Sequence, residues 1–589
     1  KTVNDKKPAM HRRKFLQNLS LFAGGQFVLN GVIFQTLQGQ PRLAKMAQQS
    51  RNDKVLVIIQ MHGGNDGLNS VIPVPQYNLY YNMRPNLAIP DSGTRKYIRL
   101  DGTVPENQLV GLHPDMVGMK SLYDEGKLAL LQNVGYENMN GSHFKGRDIW
   151  FGGGGATDRV SSGWLGRYLE HEFEGMGGAE PQYPLDFPNA DMPDPLGLEF
   201  ATDVSLGFHT DDTVPAAISI PNPATFFDQV KGLAGYNEEI KVDPRGFPPA
   251  GPTIPSLYRQ ELQWILDIEK GTDKYAERLQ RVYQQGGNTD VTYPQAYAFN
   301  NSRNPIASNL GIIARLVNGG CKTKVYLVRI GGFDTHINQV ESYDNTLGGH
   351  AALMYHVSSA MKAFQDDLKA RGIEDRVLTV TISEFGRRAV SNNNYGSDHG
   401  TVAPMFVFGS QVNPGIIGKN PDLAKISENH GNISDRKEDI TDFRVVFNTI
   451  LQDWLDVSPD DVRDRILPTL NQTASASWGD PDINDKVPLF RTGEVTSIDA
   501  FVNRRFRLED VFPNPVRDFA TFAFYIDDPA KVQLALYDPQ GRLVRILVND
   551  HRGPGRHEVP VNLSELRAGV YAYRINAGPL KGTKRLVKS

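Results

Sequence analysis

Only one cysteine, Cys321, stands in 589 residues, so an internal disulfide framework and a cysteine-rich zinc cluster are both excluded. An excess of charge of one sign is missing too. Against 63 Lys and Arg stand 67 Asp and Glu, a net charge of -4 that gives no reason to expect nucleic acid as a partner. No segment beyond the first fifty residues approaches the ~20 continuous apolar residues of a membrane-spanning helix. The expectation is a soluble chain with no permanent transmembrane segment. No internal repeat is visible, and the hydrophobic fraction of 40% is that of an ordinary globular protein. At this length several folding units are expected.

What is present begins with an address. HRRKFLQ (His11 to Gln17) sets two arginines before Phe15 and Leu16, and the moderately apolar LSLFAGGQFVLNGVIF follows. This is the form of a bacterial twin-arginine export signal, which serves folded or cofactor-loaded cargo and implies the twin-arginine translocase as a partner. Residues 1–50 are therefore read as signal and linker.

From Val55 the chain alternates apolar runs with helical patterns. VLVIIQM (55–61), LALLQNV (128–134), KVYLVRI (324–330), RVLTVTIS (376–383) and APMFVFG (403–409) read as strands. Residues 115–127, 304–320 and 350–372 carry helical spacing. This rhythm predicts an α/β domain over 51–480, a mostly parallel sheet covered by helices on both faces. Residues 172–303, first rich in Gly, Pro and Asp and then helix-like over 256–285, read as an elaboration shaping one side of a cleft. Residues 481–507 read as a linker. From 508 to 589 short alternating segments separated by turns predict a small all-β sandwich.

The phrases VFPNPVRD, LYDPQGRLV and LRAGVYAYRI resemble the C-terminal sorting domain of type IX secretion substrates. The resemblance implies the type IX machinery as a partner, a Bacteroidota-like source, and passage through the periplasm to the cell surface or medium.

Ligands of open parallel sheets gather at the carboxyl ends of the strands. There this sequence places HGGNDGLNS with His62 and Asp66, GYENMNGSHFKGRDIW with Ser142, His143 and Arg147, and GGFDTHINQ with Asp334 and His336. It also places EFGRR with Glu384 and Arg387, and GSDHGTVAP with Asp398 and His399 just before a strand. Carboxylates and neutral imidazoles collected at one edge suit zinc, manganese, magnesium or calcium.

The order Asp66, Ser142, Asp334–His336, Glu384, His399 resembles the alkaline phosphatase and sulfatase superfamily. More closely, HGGNDGLN, NGSHF, GGFDTH, SEFGRR and DHGTVAP together look like an uncharacterised, twin-arginine-exported sulfatase-like family. The resemblance implies an alkaline phosphatase-like fold and one or two divalent ions. Asp66 and Glu384 would bind the ion nearer the nucleophile, Asp334, His336 and His399 would hold a second ion, and Asp398 would be an extra ligand or a support. Ser142, at a helix N-terminus that favours phosphate, takes the nucleophile position. His143, Arg147 and Arg387 are candidates to neutralise the transferred group. The sequence departs from the superfamily pattern in three places. Asp334 and His336 are two residues apart, with Asn338 at the fourth position. Glu384-Phe385 replaces the usual strand-end Asp-His. Ser142 is followed by His-Phe-Lys-Gly, which argues against a formylglycine sulfatase.

Two functions stand at this point. One is a secreted or surface metal-dependent hydrolase of phosphate or related esters, with Ser142 or a water as nucleophile and an anionic ester as substrate. The other is a catalytically reduced fold serving surface binding or assembly.

Overall fold

The computed structural model describes residues 52–220 and 275–470 with short gaps, 483–491, most of 506–588, and the backbone of two short paired strands, Gln26–Leu29 and Val32–Gln35. The twin-arginine motif at His11 to Gln17 lies outside the described residues.

The predicted strands form at their expected places: β1 (Val55–Met61), β2 (Leu128–Gly135), β3 (Val325–Ile330), β4 (Val377–Ile382) and β5 (Ala403–Phe408). They belong to a nine-stranded sheet ordered Gly415–Ile417, β2, β5, β4, β1, β3, Gly197–Phe200, Ala217–Ser219, with Thr441–Asp442 paired to β2. β1 lies between β4 and β3, parallel to both. β5 alone runs against its neighbours β4 and β2.

Both faces of this sheet are covered, which is why its strands read as unbroken apolar runs. Along β1, Val55, Val57, Ile59 and Met61 enter one hydrophobic cluster while Leu56 and Ile58 enter another. The first contains Leu310 and Ile313 of α2 (Ala307–Asn318) and Met354, Val357, Met361 and Phe364 of α3 (Gly349–Ala370). The second contains Ile149, Trp150 and Phe151 of α1 (His143–Gly152), with Trp164, Phe443 and Phe447. α1 starts after Ser142 and stops on Gly153 at φ +72, a left-handed cap that glycine accepts without strain.

Two short strands from the stretch expected as an elaboration, 172–303, join the sheet. Gly197–Phe200 pairs with β3 and Ala217–Ser219 extends the order by one more strand, both parallel. Both strands are short, three and four residues, and so left no clear pattern in a stretch dominated by glycine and proline. Of the helix expected over 256–285, residues 275–285 are described and helical.

The C-terminal unit is a sandwich of a three-stranded and a four-stranded sheet, with all the described neighbours antiparallel. Phe522, Phe524, Leu534, Leu536, Tyr573 and Ile575 lie in its common core. Among the described residues no helix is long and apolar enough to cross a membrane.

Candidate metal centre

Four connections at one edge of the sheet converge. After β1 the chain turns through Gly63 (φ +121) and Gly64 (φ +88). A Cβ on Gly63 would sit 2.2 Å from the Asp334 backbone nitrogen, so the loops following β1 and β3 approach as closely as glycine permits. The loop after β3 is stitched to the hairpin of Arg387–Ser391 and Ser397–His399. Gln339 N–H donates to Tyr395 O at 2.8 Å, and Ser397 N–H to Thr335 O at 3.0 Å. α1 comes against β4 at Gly146, where a Cβ would lie 3.1 Å from the Glu384 carbonyl oxygen.

Three histidines meet there, each with one ring nitrogen already engaged. His143 Nδ1 lies 2.8 Å from Glu384 Oε1, His336 Nδ1 lies 3.1 Å from Asp398 Oδ1, and His399 Nδ1 lies 2.8 Å from the Gly141 carbonyl oxygen. Each partner only accepts, so each Nδ1 carries the hydrogen and each neutral ring keeps its lone pair on Nε2. The three Nε2 atoms then turn to one carboxylate. His399 and His336 lie 3.0 and 3.2 Å from Asp334 Oδ1, and His143 lies 3.4 Å from Oδ2. His336 Nε2 and His399 Nε2 stand 2.9 Å apart, and His143 Nε2 is buried with no hydrogen-bond partner among the described residues. Lone pairs this close to one another and to a carboxylate repel unless a cation lies among them. One ligand atom each from His143, Asp334 and His399 falls within 4.8 Å of the others.

The rings are held from outside the cluster. Phe385, fully buried, packs against His143 and His399 with centroids 4.8 and 4.6 Å away. Glu384 is buried at the end of β4, and its Oε1 also accepts the Gly63 N–H at 2.8 Å and faces His62 Nδ1 at 3.3 Å. This is the arrangement in which a carboxylate behind an imidazole fixes its tautomer and direction. Burial acts to raise the Asp334 pKa. The hydrogen bond and the charge of Arg387 outweigh it and hold the carboxyl at about 2. His62 is lowered from its ordinary value, chiefly by burial, with Glu384 opposing.

Four expectations need revision in this geometry. Asp66 is not in the cluster: fully buried, it binds Arg84 Nη1 at 2.8 and 2.6 Å, accepts from Gln339 and caps the short helix Gly67–Ser70. Arg387 is not free to meet a substrate. Its side chain is wholly buried and donates to the carbonyls of Gly63, Gly64, Phe333 and Ser397 and to Asp334 Oδ1. Glu384 stands behind His143 rather than beside Asp334, whereas Asp398 lies behind His336, the supporting place of its two expected alternatives. His143 belongs with the ligand-bearing histidines rather than with the groups that neutralise a substrate. Asp334, His336 and His399 do come together as expected. Ser142 is the exposed N-cap of α1, and its hydroxyl makes no capping bond.

A cavity of about 250 Å³ opens beside the cluster, lined by His62, Gly63, His143, Phe144, Arg147, Gly332 and Asp334. His62 had no role assigned from sequence. Its place directly after the end of β1 was the available signal.

Glu384→Ala is expected to weaken divalent-metal binding about 10- to 100-fold, because His143 loses the acceptor that aims it. Glu384→Gln recovers part of the loss, since an amide oxygen still accepts the Nδ1 hydrogen. Competition titration against a chelating dye reads both.

Residues 276–441 match a family described as "Protein of unknown function (DUF1501)", a stretch that holds Asp334, His336, Glu384, Asp398 and His399. Residues 510–589 match a second model. The tail is a secretion system C-terminal sorting domain. This sorting domain indicates export and surface attachment. No curated protein matches the chain in sequence. Among solved structures, the chain is similar to PorZ, a surface component of the type-IX secretion system of Porphyromonas gingivalis, at 20% identity and TM-score 0.11. That match covers 18% of this chain and 14% of PorZ. A protein in the alkaline phosphatase superfamily from Vibrio parahaemolyticus is similar at 9% identity and TM-score 0.30, over 91% of this chain and 82% of that one. A phosphonate monoester hydrolase from Silicibacter pomeroyi is similar at 12% and 0.25, over 91% and 89%. Scores this low decide nothing about chemistry.

Proposed function

We propose that the chain is an exported, surface-bound hydrolase of phosphate or related esters that depends on one divalent metal ion. The observation that carries this reading is the convergence of three Nε2 lone pairs, one of them buried and unpartnered, on the carboxylate of Asp334. Three imidazoles and a carboxylate suit zinc or manganese better than magnesium or calcium, which prefer oxygen. His143, His336, His399 and Asp334 would hold the ion, which when bound supplies Lewis acidity toward an ester oxygen.

The chain's own groups do the rest. Arg147 lines the cavity and has no carboxylate partner among the described residues, so its charge is available to an anion. His143 and Phe144, in the first turn of α1, line the same cavity, and a helix N-terminus favours a phosphate-like group. The Ser142 hydroxyl, free of capping duty, stands next to His143 as the candidate nucleophile. Export would run through the twin-arginine translocase into the periplasm and then through the type IX machinery.

The test is metal analysis of protein purified without chelators, coupled to a screen of aryl phosphate monoesters, diesters and sulfates. Bound metal with turnover supports the hydrolase. Ser142→Ala then separates serine attack, which predicts a loss of at least about 10³-fold with metal content unchanged, from attack by water. Protein with neither metal nor turnover sinks the reading. A second reading is favoured by the gathering of ligand atoms for only one ion among the described residues. It is a fold kept for surface binding, and its signature is bound metal with no turnover on any ester.

A further inference from the structure

Phe144 follows His143 in the first turn of α1 and is 74% exposed, although it is one of the larger apolar side chains of the domain. It lines the cavity together with Arg147, one turn further along the same helix, whose guanidinium carbon lies 5.9 Å from the Phe144 ring centroid. Two other lining residues, Gly63 and Gly332, have no side chains, and Gly332 sits at φ +98, where a larger residue would be strained. At neighbouring Gly331 a Cβ would meet nothing within 4 Å. The cavity therefore offers one apolar ring, one cation with no carboxylate partner among the described residues, and bare backbone around the candidate metal centre.

From this juxtaposition we infer that Phe144 and Arg147 form a selecting subsite, and that the ester substrate carries a ring with an apolar face next to its anionic group. The inference rests on the hydrolase reading for the ester linkage, though not for the binding itself. The ring stacks on Phe144 while the anion takes the Arg147 guanidinium. Aromatic rings and the faces of pyranose sugars share this chemistry. Because Phe144 is exposed, removing it leaves the fold's core intact.

The experiment is calorimetric titration of the full-length, metal-loaded protein with phenyl phosphate, glucose 6-phosphate, methyl phosphate and inorganic phosphate, with melting curves as a folding control. The expected result is that phenyl phosphate, glucose 6-phosphate or both bind more tightly than methyl phosphate. Phe144→Ala is expected to remove about 2- to 10-fold of that preference while inorganic phosphate binds as before. Arg147→Met weakens all four ligands. Preference for phenyl over glucose assigns an aromatic group, and the reverse assigns a sugar. Unchanged ring preference in Phe144→Ala overturns the subsite. If the preference depends on Phe144 yet no ester is ever cleaved, the subsite stands and the hydrolase reading falls. If esters are cleaved but the preference does not depend on Phe144, the hydrolase stands and the subsite falls.

Discussion

His399→Ala protein purified without chelators is expected to hold below ~0.1 equivalents of divalent metal, where the parent holds about one. The change removes an imidazole whose Nδ1–H is fixed on Gly141 O and whose Nε2 stands 3.0 Å from Asp334. It leaves two imidazoles and one carboxylate, and the binding free energy of the lost ligand goes with it. His336→Ala should do the same, because its Nε2 is 2.9 Å from that of His399. His62→Ala should keep its metal, since the His62 Nδ1 faces Glu384 and not Asp334. Chelation gives an independent readout. An ion present at 100 times its dissociation constant stabilises the parent by about 2.7 kcal/mol, so the parent should melt lower after chelation and His399→Ala should not respond. Equal metal content in parent and His399→Ala would falsify the proposed centre.

The strands were legible because a sheet covered on both faces favours apolar residues on both, and β1 through β5 are apolar at most positions. The edge at which ligands gather followed from the sheet being mostly parallel. That edge collected all the candidate ligands alike, and the resemblance to a known family set Asp334, His336 and His399 apart as a group. What the order of residues does not carry is the direction of each side chain in a loop. Asp66 and His62 leave the same strand end four residues apart. The turn through Gly63 and Gly64 sends Asp66 inward to Arg84 and leaves His62 at the cavity. Arg84 is 18 residues on, with no spacing that signals the pairing. Arg387 was marked by its charge beside a ligand-bearing loop. Its burial follows from cross-strand pairing with His399, which draws the guanidinium beneath three loops at once. Glu384 was read as a ligand, and Asp398 as either ligand or support, because a sequence cannot separate a carboxylate that binds an ion from one that aims an imidazole.

Asp66→Ala is expected to destabilise the domain by about 3–5 kcal/mol, the cost of leaving a buried guanidinium without its counter-charge, while the protein that remains folded keeps its full complement of metal. Both side chains of the Asp66–Arg84 pair have no solvent exposure. Arg84 also donates to the Ala389 and Arg388 carbonyls, and Asp66 caps the turn that leads from β1 into Gly67–Ser70. The pair thus ties the β1 loop to the hairpin that carries Asp398 and His399. Its contribution depends on pH with a definite sign. Burial acts to raise the Asp66 pKa, but Arg84, His350 and Gln339 outweigh it and leave the carboxyl below its ordinary value. A carboxyl held low stabilises the fold above its unfolded value of about 4, and that contribution is lost as the pH falls through the lower folded value. Asp66→Asn should therefore flatten the acid limb of the stability curve below about pH 4, beyond its effect at neutrality. Denaturant melts across the acid range, paired with metal analysis at neutral pH, separate the two roles proposed for this residue. Loss of metal from folded Asp66→Asn would return Asp66 to the ligand set. Loss of stability with metal retained assigns it to holding the loops on which the ligands ride.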